Sequence, residues 1–142
     1  MTRTISAAER HTRICPDGTS GGYPPLMAEW IYFIHPPREN FAATMTDEEK
    51  AVWGVHFERF QRLLLDGSLV LVGPTLGEVN TGISIFEAPD EATARRFMDE
   101  DPVIAGGFAR GELRPFRVSL MRGRDEERAA RDLAADAEPA AE

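Results

Sequence analysis

The chain has 142 residues, of which 42% are hydrophobic and 28% charged, and this composition is ordinary for one soluble globular domain. A net charge of −8 without any basic run argues against a nucleic-acid-binding protein, and no apolar run is long enough for a membrane span or for the core of a secretory signal. Cys15 is the only cysteine, which excludes an intramolecular disulfide and a cysteine metal cluster and suits a cytoplasmic location.

The N-terminal part of the chain divides into an irregular extension and a first strand. Residues 1–26 show no hydrophobic period and are rich in Pro, Gly, Ser and Thr, so we predict a disordered extension. Residues 28–35, AEWIYFIH, are rich in aromatic and β-branched side chains and are predicted to form a strand. Pro36 and Pro37 end this strand, and residues 38–45 are predicted to form a loop.

The stretch 46–67 has the signals of a single amphipathic helix. Thr46 and Glu49 form the pattern of a capping box, and Gly67 follows the last apolar residues. The apolar spacing predicts a buried arc on one side of this helix, consisting of Trp53, Phe57, Phe60 and Leu64. His56 falls within the same arc, where an imidazole needs hydrogen-bond partners or a chemical role.

The chain after this helix is predicted to contain three more strands and a second helix. Two short apolar runs joined by a turn predict a hairpin. Pro102 disfavours helical geometry at the residue before it and therefore ends the second helix. The predicted elements are strands at residues 68–73 and 81–86, a helix with Asp90 as its N-cap that ends near Glu100, a candidate helical turn at 103–108, and a strand at 112–120.

The order of these elements predicts the architecture. Residues 122–142 carry many charges and little apolar content, so we predict a solvated, disordered tail in which alternating charges allow some helix. The domain then spans residues 27–121. Its order β-α-β-β-α-β predicts an α+β, ferredoxin-like fold, with two helices on one face of a four-stranded antiparallel sheet. Because the other face would expose apolar side chains, we predict a homodimer formed through that open face.

Two residues are candidates for chemistry, and each has a structural alternative. His56 is either a core histidine bonded to a backbone carbonyl or a general acid or base, since imidazole titrates near neutral pH. Asp101 is either a solvated acid at a helix end or a carboxylate turned inward by the Asp-Pro step. In the second case it would hold the second imidazole nitrogen, as the Asp of a hydrolytic triad does.

The remaining motifs support neither a metal nor a cofactor. Gly73 and Pro74 form a tight pair that marks either a simple turn or a close approach of the backbone to a ligand. No G-x-G-x-x-G or P-loop pattern is present. His35 has no second His, Cys or acid at ligand spacing, so we predict no metal site and no bound cofactor.

The sequence resembles the YciI-like (YCII-related) family of small dimeric α+β barrel proteins over about residues 29–120. The order and spacing of several short pieces carry this resemblance. They are the aromatic first strand, His56-Phe57, the run from Asp66 to Leu69, Val72-Gly73-Pro74, the strand from Thr81 to Ile85, Asp101-Pro102-Val103, Ala105-Gly106 and Arg114-Pro115-Phe116.

The resemblance implies a ferredoxin-like fold, a dimer, and a pocket in which a His and an Asp form the active-site pair. Those two roles map onto His56 and Asp101. The family includes a dehydrochlorinase of a chlorinated aromatic diol-type substrate. Two positions differ from the family pattern, because Trp53 replaces an arginine one turn before the histidine and Val103 replaces an aromatic residue. Both differences weigh against a shared substrate.

These observations lead to a working hypothesis and two alternatives. The hypothesis is a cofactor-independent enzyme for a small molecule of unknown identity, of the isomerase, lyase or dehydrochlorinase type. His56 would be the acid or base, Asp101 would orient it, and Arg114 or Arg117 would be available for a carboxylate. The substrate-binding residues would be Trp53, Phe60, Gly73 and Pro74. The alternatives are a non-catalytic ligand-binding or regulatory dimer, and a heme- or quinol-type monooxygenase on the same fold.

Overall fold

A computed structural model describes residues 27–137 of the chain. The predicted extension at residues 1–26 and the last five residues, 138–142, lie outside the described residues. The secondary-structure elements in chain order are β1 (Ala28–His35), α1 (Phe41–Thr44), α2 (Asp47–Asp66), β2 (Leu69–Pro74), β3 (Gly82–Ala88), α3 (Glu91–Asp99), α4 (Pro102–Ala105), β4 (Arg110–Phe116) and α5 (Glu126–Ala137).

The four strands form one antiparallel sheet in the order β2-β3-β1-β4. β1 lies in the interior of the sheet, where Tyr32 is paired with Ser84 of β3 and with Leu113 of β4. The side chains of α2 and α3 pack against one face of this sheet. This arrangement confirms the predicted α+β, ferredoxin-like class. It also places the middle of β1 directly beneath the helices, which positions the site described below.

Helix α2 begins and ends where its sequence signals predict. The Thr46 side chain accepts a hydrogen bond from Glu49 N, and Glu49 Oε2 accepts one from Thr46 N at 2.8 Å, which completes the capping box. Gly67 takes a left-handed conformation with φ 89°, as glycine does readily at a helix C-terminus. The long middle helix is therefore held at both ends by local interactions.

The buried face of α2 differs from the predicted arc. His56 and Phe60 are buried, whereas Phe57 and Leu64 are 59% and 56% exposed. The prediction was wrong for these two residues because the helix turns the side that carries His56 and Phe60 towards the sheet. Trp53 remains part of the buried side and packs against the core.

The core lies between the helices and the inward-facing residues of the strands. Alternation along β1 points Trp30, Tyr32 and Ile34 towards the helices. Phe86 of β3 stacks on Phe97 of α3 with ring centroids 4.0 Å apart. The other buried members of this core are Phe60, Leu69, Ala88, Ala94, Met98 and Val103. The site residues described below are thus set in a tightly packed aromatic environment.

Two elements lie outside the predicted ranges. The predicted loop at residues 38–45 contains α1, which follows Asn40 in a left-handed conformation and has no side-chain cap. The last strand covers Arg110–Phe116 rather than 112–120, because the chain leaves the sheet after Phe116 and Val118 N bonds the Glu29 carboxylate instead. Short helices and strand ends depend on such tertiary contacts, which have no local signal.

The C-terminal segment for which we predict disorder contains α5. Asp125 precedes this helix, is buried, and accepts hydrogen bonds from Met121 N and from the Arg128 side chain. No residue of α5 is buried. The segment with alternating charges therefore forms a helix, and every residue of that helix remains in contact with solvent. Among the helices of residues 27–137, none has both the length and the apolar character needed to cross a membrane.

Candidate active site

His56 lies in the middle of α2 on the side that faces the sheet. Its side chain is buried, with only 7% of the residue exposed, and its ring meets that of Phe60 edge-on at 4.7 Å. Nδ1 lies 2.7 and 2.8 Å from the two carboxylate oxygens of Asp101. The partner of this buried imidazole is therefore a side-chain carboxylate rather than a backbone carbonyl.

Asp101 lies between α3 and α4 and is fully buried. Its backbone is extended, with φ −62° and ψ 125°, as expected for a residue that precedes a proline. Oδ1 accepts a hydrogen bond of 3.1 Å from Val103 N, so the same side chain caps α4 and holds His56. The Asp-Pro step turns this carboxylate inward, whereas the neighbouring Asp99 and Glu100 stay exposed.

Tyr32 is a third member of this group, and the sequence analysis missed it. Its hydroxyl donates a hydrogen bond of 2.7 Å to Asp101 Oδ2. Burial, together with the negative charge of Asp101, raises the pKa of Tyr32 well above its usual value, so the hydroxyl stays protonated and remains a donor. The alternation of Trp30, Tyr32 and Ile34 in β1 was a usable signal, since a buried tyrosine hydroxyl needs a partner.

Arg59 supplies a positive charge near the same carboxylate. It lies one turn after His56, and its Nη1 is 3.9 Å from Asp101 Oδ2. Its Nη2 donates to the carbonyl of Phe97 at 2.6 Å, and the guanidinium lies over the Phe97 ring. A buried carboxylate is costly unless it is paired and hydrogen-bonded, and this arrangement meets both conditions for Asp101.

These contacts determine which nitrogen of His56 carries the proton. An ionised carboxylate only accepts hydrogen bonds, as Asp101 does from Tyr32 and from Val103 N. His56 Nδ1 must then be the donor in its bond to Asp101. In the neutral ring the other nitrogen, Nε2, keeps its lone pair, and it forms no hydrogen bond with any residue in the range 27–137.

The His56 ring forms part of the wall of a cavity of about 380 Å³. The wall also includes all four predicted substrate-binding residues, namely Trp53, Phe60, Gly73 and Pro74. Asp101 does not line the cavity and lies behind His56. The structure thus brings the predicted site residues together, with the imidazole between the buried carboxylate and an open space.

The cavity is bounded on its other side by α1 and the turn between β2 and β3. Phe41 of α1 contacts Trp53 with ring centroids 4.6 Å apart. Asn80 ties the two segments together, because its Oδ1 accepts from Ala42 N at 3.0 Å. Asn40 N also donates to the carbonyl of Glu78. These wall residues have no local signal in the sequence, because the segment before Thr46 has the pattern of a loop and its contacts form only on folding.

The arginines suggested for binding a carboxylate are not at the cavity. Arg114 lies on the opposite face of the sheet, where it bonds Glu112 and lies over the Phe33 ring. Arg117 follows the end of β4 and is not part of the cavity wall. The suggestion of a carboxylate anchor at Arg114 or Arg117 was therefore wrong for this cavity, because strand alternation turns Arg114 away from it.

Other titratable groups are placed away from the cavity. His35 bonds Glu112 at 2.9 Å on the same opposite face of the sheet. Within residues 27–137, no three His, Cys, Asp or Glu side chains are grouped in a way that could hold a metal ion. His11 and Cys15 lie outside the described residues.

Comparison with known proteins gives a family and distant solved structures, one of which is described below. The family model of the YCII-related domain matches residues 30–117, a range that includes His56 and Asp101. No curated protein matches the chain. The solved structure of 5-chloro-2-hydroxyhydroquinone dehydrochlorinase from Burkholderia phenoliruptrix AC1100, in complex with 2,5-dihydroxybenzoquinone, is similar with 15% identity and a TM-score of 0.48. The alignment covers 62% of this chain and 93% of that one, and similarity this low does not transfer a substrate or a reaction.

Proposed function

Because the chain belongs to the YCII-related family, we propose that it is a small-molecule enzyme in which His56 is the general base and acid. The observation that carries this proposal is the position of the imidazole. Its Nδ1 is bonded to a buried carboxylate at 2.7 Å, and the ring lines a cavity large enough for a ligand. A histidine held in one tautomer beside an open cavity has the geometry needed for proton transfer.

The proposed reaction begins with removal of a proton from the bound substrate by His56 Nε2. The resulting imidazolium is stabilised by Asp101, which stays ionised because Tyr32 and Arg59 support its charge. The electron pair left on the substrate can then react in two ways. In an isomerisation Nε2 returns the proton to another atom, whereas in an elimination the pair forms a double bond and a small anion such as chloride leaves with its bonding electrons.

A second candidate is a non-catalytic ligand-binding or regulatory protein. This candidate is favoured by the structural role of Asp101, which caps α4 and forms hydrogen bonds with both His56 and Tyr32. In that case the pair would stabilise the wall of the cavity and would contact the ligand without moving a proton. The two candidates differ in whether the loss of His56 removes a chemical step or only weakens binding.

The test is a deuterium-exchange screen in which small carbon acids and halogenated compounds are incubated in D₂O and followed by mass spectrometry. His56→Gln removes the base, and we expect exchange or elimination to fall by roughly 100-fold or more. His35→Gln is the matched control, because His35 lies on the opposite face of the sheet. If no compound distinguishes His56→Gln from wild type while the variant loses thermal stability, the non-catalytic candidate is correct.

We also propose that two copies of the chain associate through the open face of the sheet. Strand alternation places Ile31 and Phe33 of β1 on this face, next to Ile83 and Ile85 of β3. Leu71 and Phe116, on the two edge strands, remain 48% and 39% exposed there. Ile31 and Ile85 are already buried within the single chain, and Glu112 and Arg114 share the face, so its accessible apolar part is formed by Phe33, Ile83, Leu71 and Phe116. This apolar part supports an interface between copies.

A further inference from the structure

We infer that the cavity beside His56 takes an uncharged, largely apolar molecule with one hydrogen-bonding group, and that it discriminates against carboxylates and phosphates. This inference rests on the proposed function only in that it treats the same cavity as a ligand site. It concerns the charge of the ligand and does not depend on which bond is made or broken.

Among residues 27–137, the wall of the cavity contains no Lys, Arg, Asp or Glu. Among the described residues, its polar side-chain groups are those of His56 and Asn80 and the indole N–H of Trp53. All the hydrogen-bonding groups of Asn80 are already used, since Oδ1 accepts from Ala42 N and Nδ2 donates to the carbonyls of Thr75 and Gly77. The side-chain groups left to bond a ligand are therefore Nε2 of His56, which accepts, and the neutral indole N–H of Trp53, which donates.

Arg38 and Arg59 lie close to residues around the cavity, and neither is part of its wall. Arg38, whose guanidinium lies over the outer wall residue Phe41, makes two hydrogen bonds of 2.8 Å to Glu49 and further bonds to Thr44. Arg59 lies behind the imidazole with Nη1 3.9 Å from Asp101 Oδ2, where Nη1 makes no hydrogen bond with the described residues, and its Nη2 donates to the carbonyl of Phe97. Neither arginine offers the forked pair of donors that a carboxylate or phosphate requires.

An anion in this cavity would therefore lose its hydration without gaining a compensating charge. Moving an ionised carboxylate into apolar surroundings is far more costly than moving a neutral hydroxyl, which needs one hydrogen bond. The net charge of −8 adds a repulsive field over longer distances. Both effects act in the same direction and favour a neutral ligand.

The size of the cavity and the aromatic side chains of its wall further restrict which compounds can bind. Flat aromatic surfaces from Phe41, Trp53, Phe57 and Phe60 border a volume of about 380 Å³. A cavity of roughly 150 Å³ already accepts benzene, so this one has room for a molecule of one or two rings. A planar apolar compound with one hydroxyl or enol group suits this wall, because the hydroxyl can donate to His56 Nε2 and the compound brings no charge to be desolvated.

The inference is tested with a pair of probes that differ in charge, 2-naphthol and 2-naphthoate, titrated into the full chain by calorimetry at pH 7. We expect 2-naphthol to bind roughly tenfold or more tightly than 2-naphthoate, because only the second is ionised. Nuclear magnetic resonance of the His56 ring locates the probe, since 2-naphthol in the cavity shifts the Nε2 signal. Tighter or equal binding of 2-naphthoate would overturn the inference.

A charge introduced into the wall gives the reciprocal test. Met45 borders the cavity, and Met45→Lys keeps a long side chain while it adds a cation. We expect this variant to gain affinity for 2-naphthoate, so that its preference for 2-naphthol over 2-naphthoate becomes smaller or reverses. Met27→Lys is the matched control, since Met27 precedes β1 at the end of that strand away from the cavity residue Ile34. An unchanged preference in a folded Met45→Lys variant would also contradict the inference.

The outcome separates the inference from the proposed function. Turnover of an anionic substrate that His56→Gln abolishes would refute the neutral-ligand inference and leave the enzymatic function standing. Selective binding of 2-naphthol without any His56-dependent turnover in the exchange screen would support the inference and favour the non-catalytic candidate.

Discussion

The hydroxyl of Tyr32 and the carboxylate of Asp101, 69 residues apart in the chain, share a buried hydrogen bond of 2.7 Å. This bond joins the central region of the sheet to the turn between α3 and α4. Because Asp101 also bonds His56, the position of the imidazole depends on a strand residue that does not line the cavity. Tyr32 is thus a positioning residue in the proposed mechanism.

Tyr32→Phe removes this hydrogen bond and keeps the ring, which packs against Phe60 and Phe86. We expect the free energy of unfolding to fall by about 1.5–3 kcal/mol, the range for a hydrogen bond to a charged group. Urea denaturation measures this change. Ser119→Ala is the control, because Ser119 is exposed and its hydroxyl makes no hydrogen bond with the described residues. If both variants have the same free energy of unfolding, the hydrogen bond from Tyr32 to Asp101 does not stabilise the fold.

Asp101→Asn is expected to reverse the tautomer of His56. Val103 N needs an oxygen at the Oδ1 position, so the amide nitrogen would take the Oδ2 position, 2.8 Å from Nδ1. Nδ1 then faces an amide N–H group at 2.8 Å, and the oxygen at 2.7 Å is a neutral one already bonded to Val103 N. We therefore expect Nδ1 to accept and the proton to move to Nε2, where no lone pair remains for a base. We expect the activity found in the exchange screen to fall by roughly 10³- to 10⁴-fold.

Nitrogen-15 resonances of the ring report the tautomer of His56 directly and do not depend on knowing the substrate. Asp99→Asn is the control, since Asp99 is exposed at the end of α3. Persistence of the Nδ1–H form in a folded Asp101→Asn variant would show that Asp101 does not set the tautomer.

Local sequence signals were sufficient to predict the largest helix and strand. They were not sufficient to predict every residue of the candidate active site. The capping box at Thr46 and the aromatic pattern of β1 lie within short stretches, so β1 and α2 were predicted with nearly correct bounds. The pairing of His56 with Asp101 was suggested by the family resemblance and the element order. Tyr32 and Arg59 were missed because their roles depend on a partner brought close only by folding. The rotation of α2 was likewise set by packing, which no single helix pattern specifies.

The Glu49 carboxylate makes a pH-dependent contribution to stability. Hydrogen bonds from Arg38, with a further contribution from Thr46 N, lower the pKa of Glu49 to about 2. Since the pKa in the unfolded chain is higher, about 4.3, the stabilisation is fully present above that value and is lost as the pH falls through 2. Glu49→Gln should therefore be less stable than wild type at pH 7, and the difference should shrink between about pH 4.5 and pH 2.

Thermal unfolding of wild type and Glu49→Gln across this pH range measures the effect. Glu48→Gln is the matched control, because Glu48 lies in the same first turn of α2 and makes no hydrogen bond with the described residues. A difference between Glu49→Gln and wild type that stayed constant down to pH 2 would indicate lost cap geometry rather than lost charge.

The proposed dimer predicts that a charge on the open face of the sheet separates the two copies. Leu71 is 48% exposed on β2 and is paired with Ile85 on that face. In Leu71→Glu the carboxylate would be desolvated against the apolar face of the other copy, so we expect a monomer at micromolar concentration. Leu65→Glu is the control, since Leu65 is 88% exposed on α2, on the helix side of the sheet. Sedimentation velocity distinguishes the two states, and a monomeric wild type, or a Leu71→Glu variant that remains dimeric, would contradict association through this face.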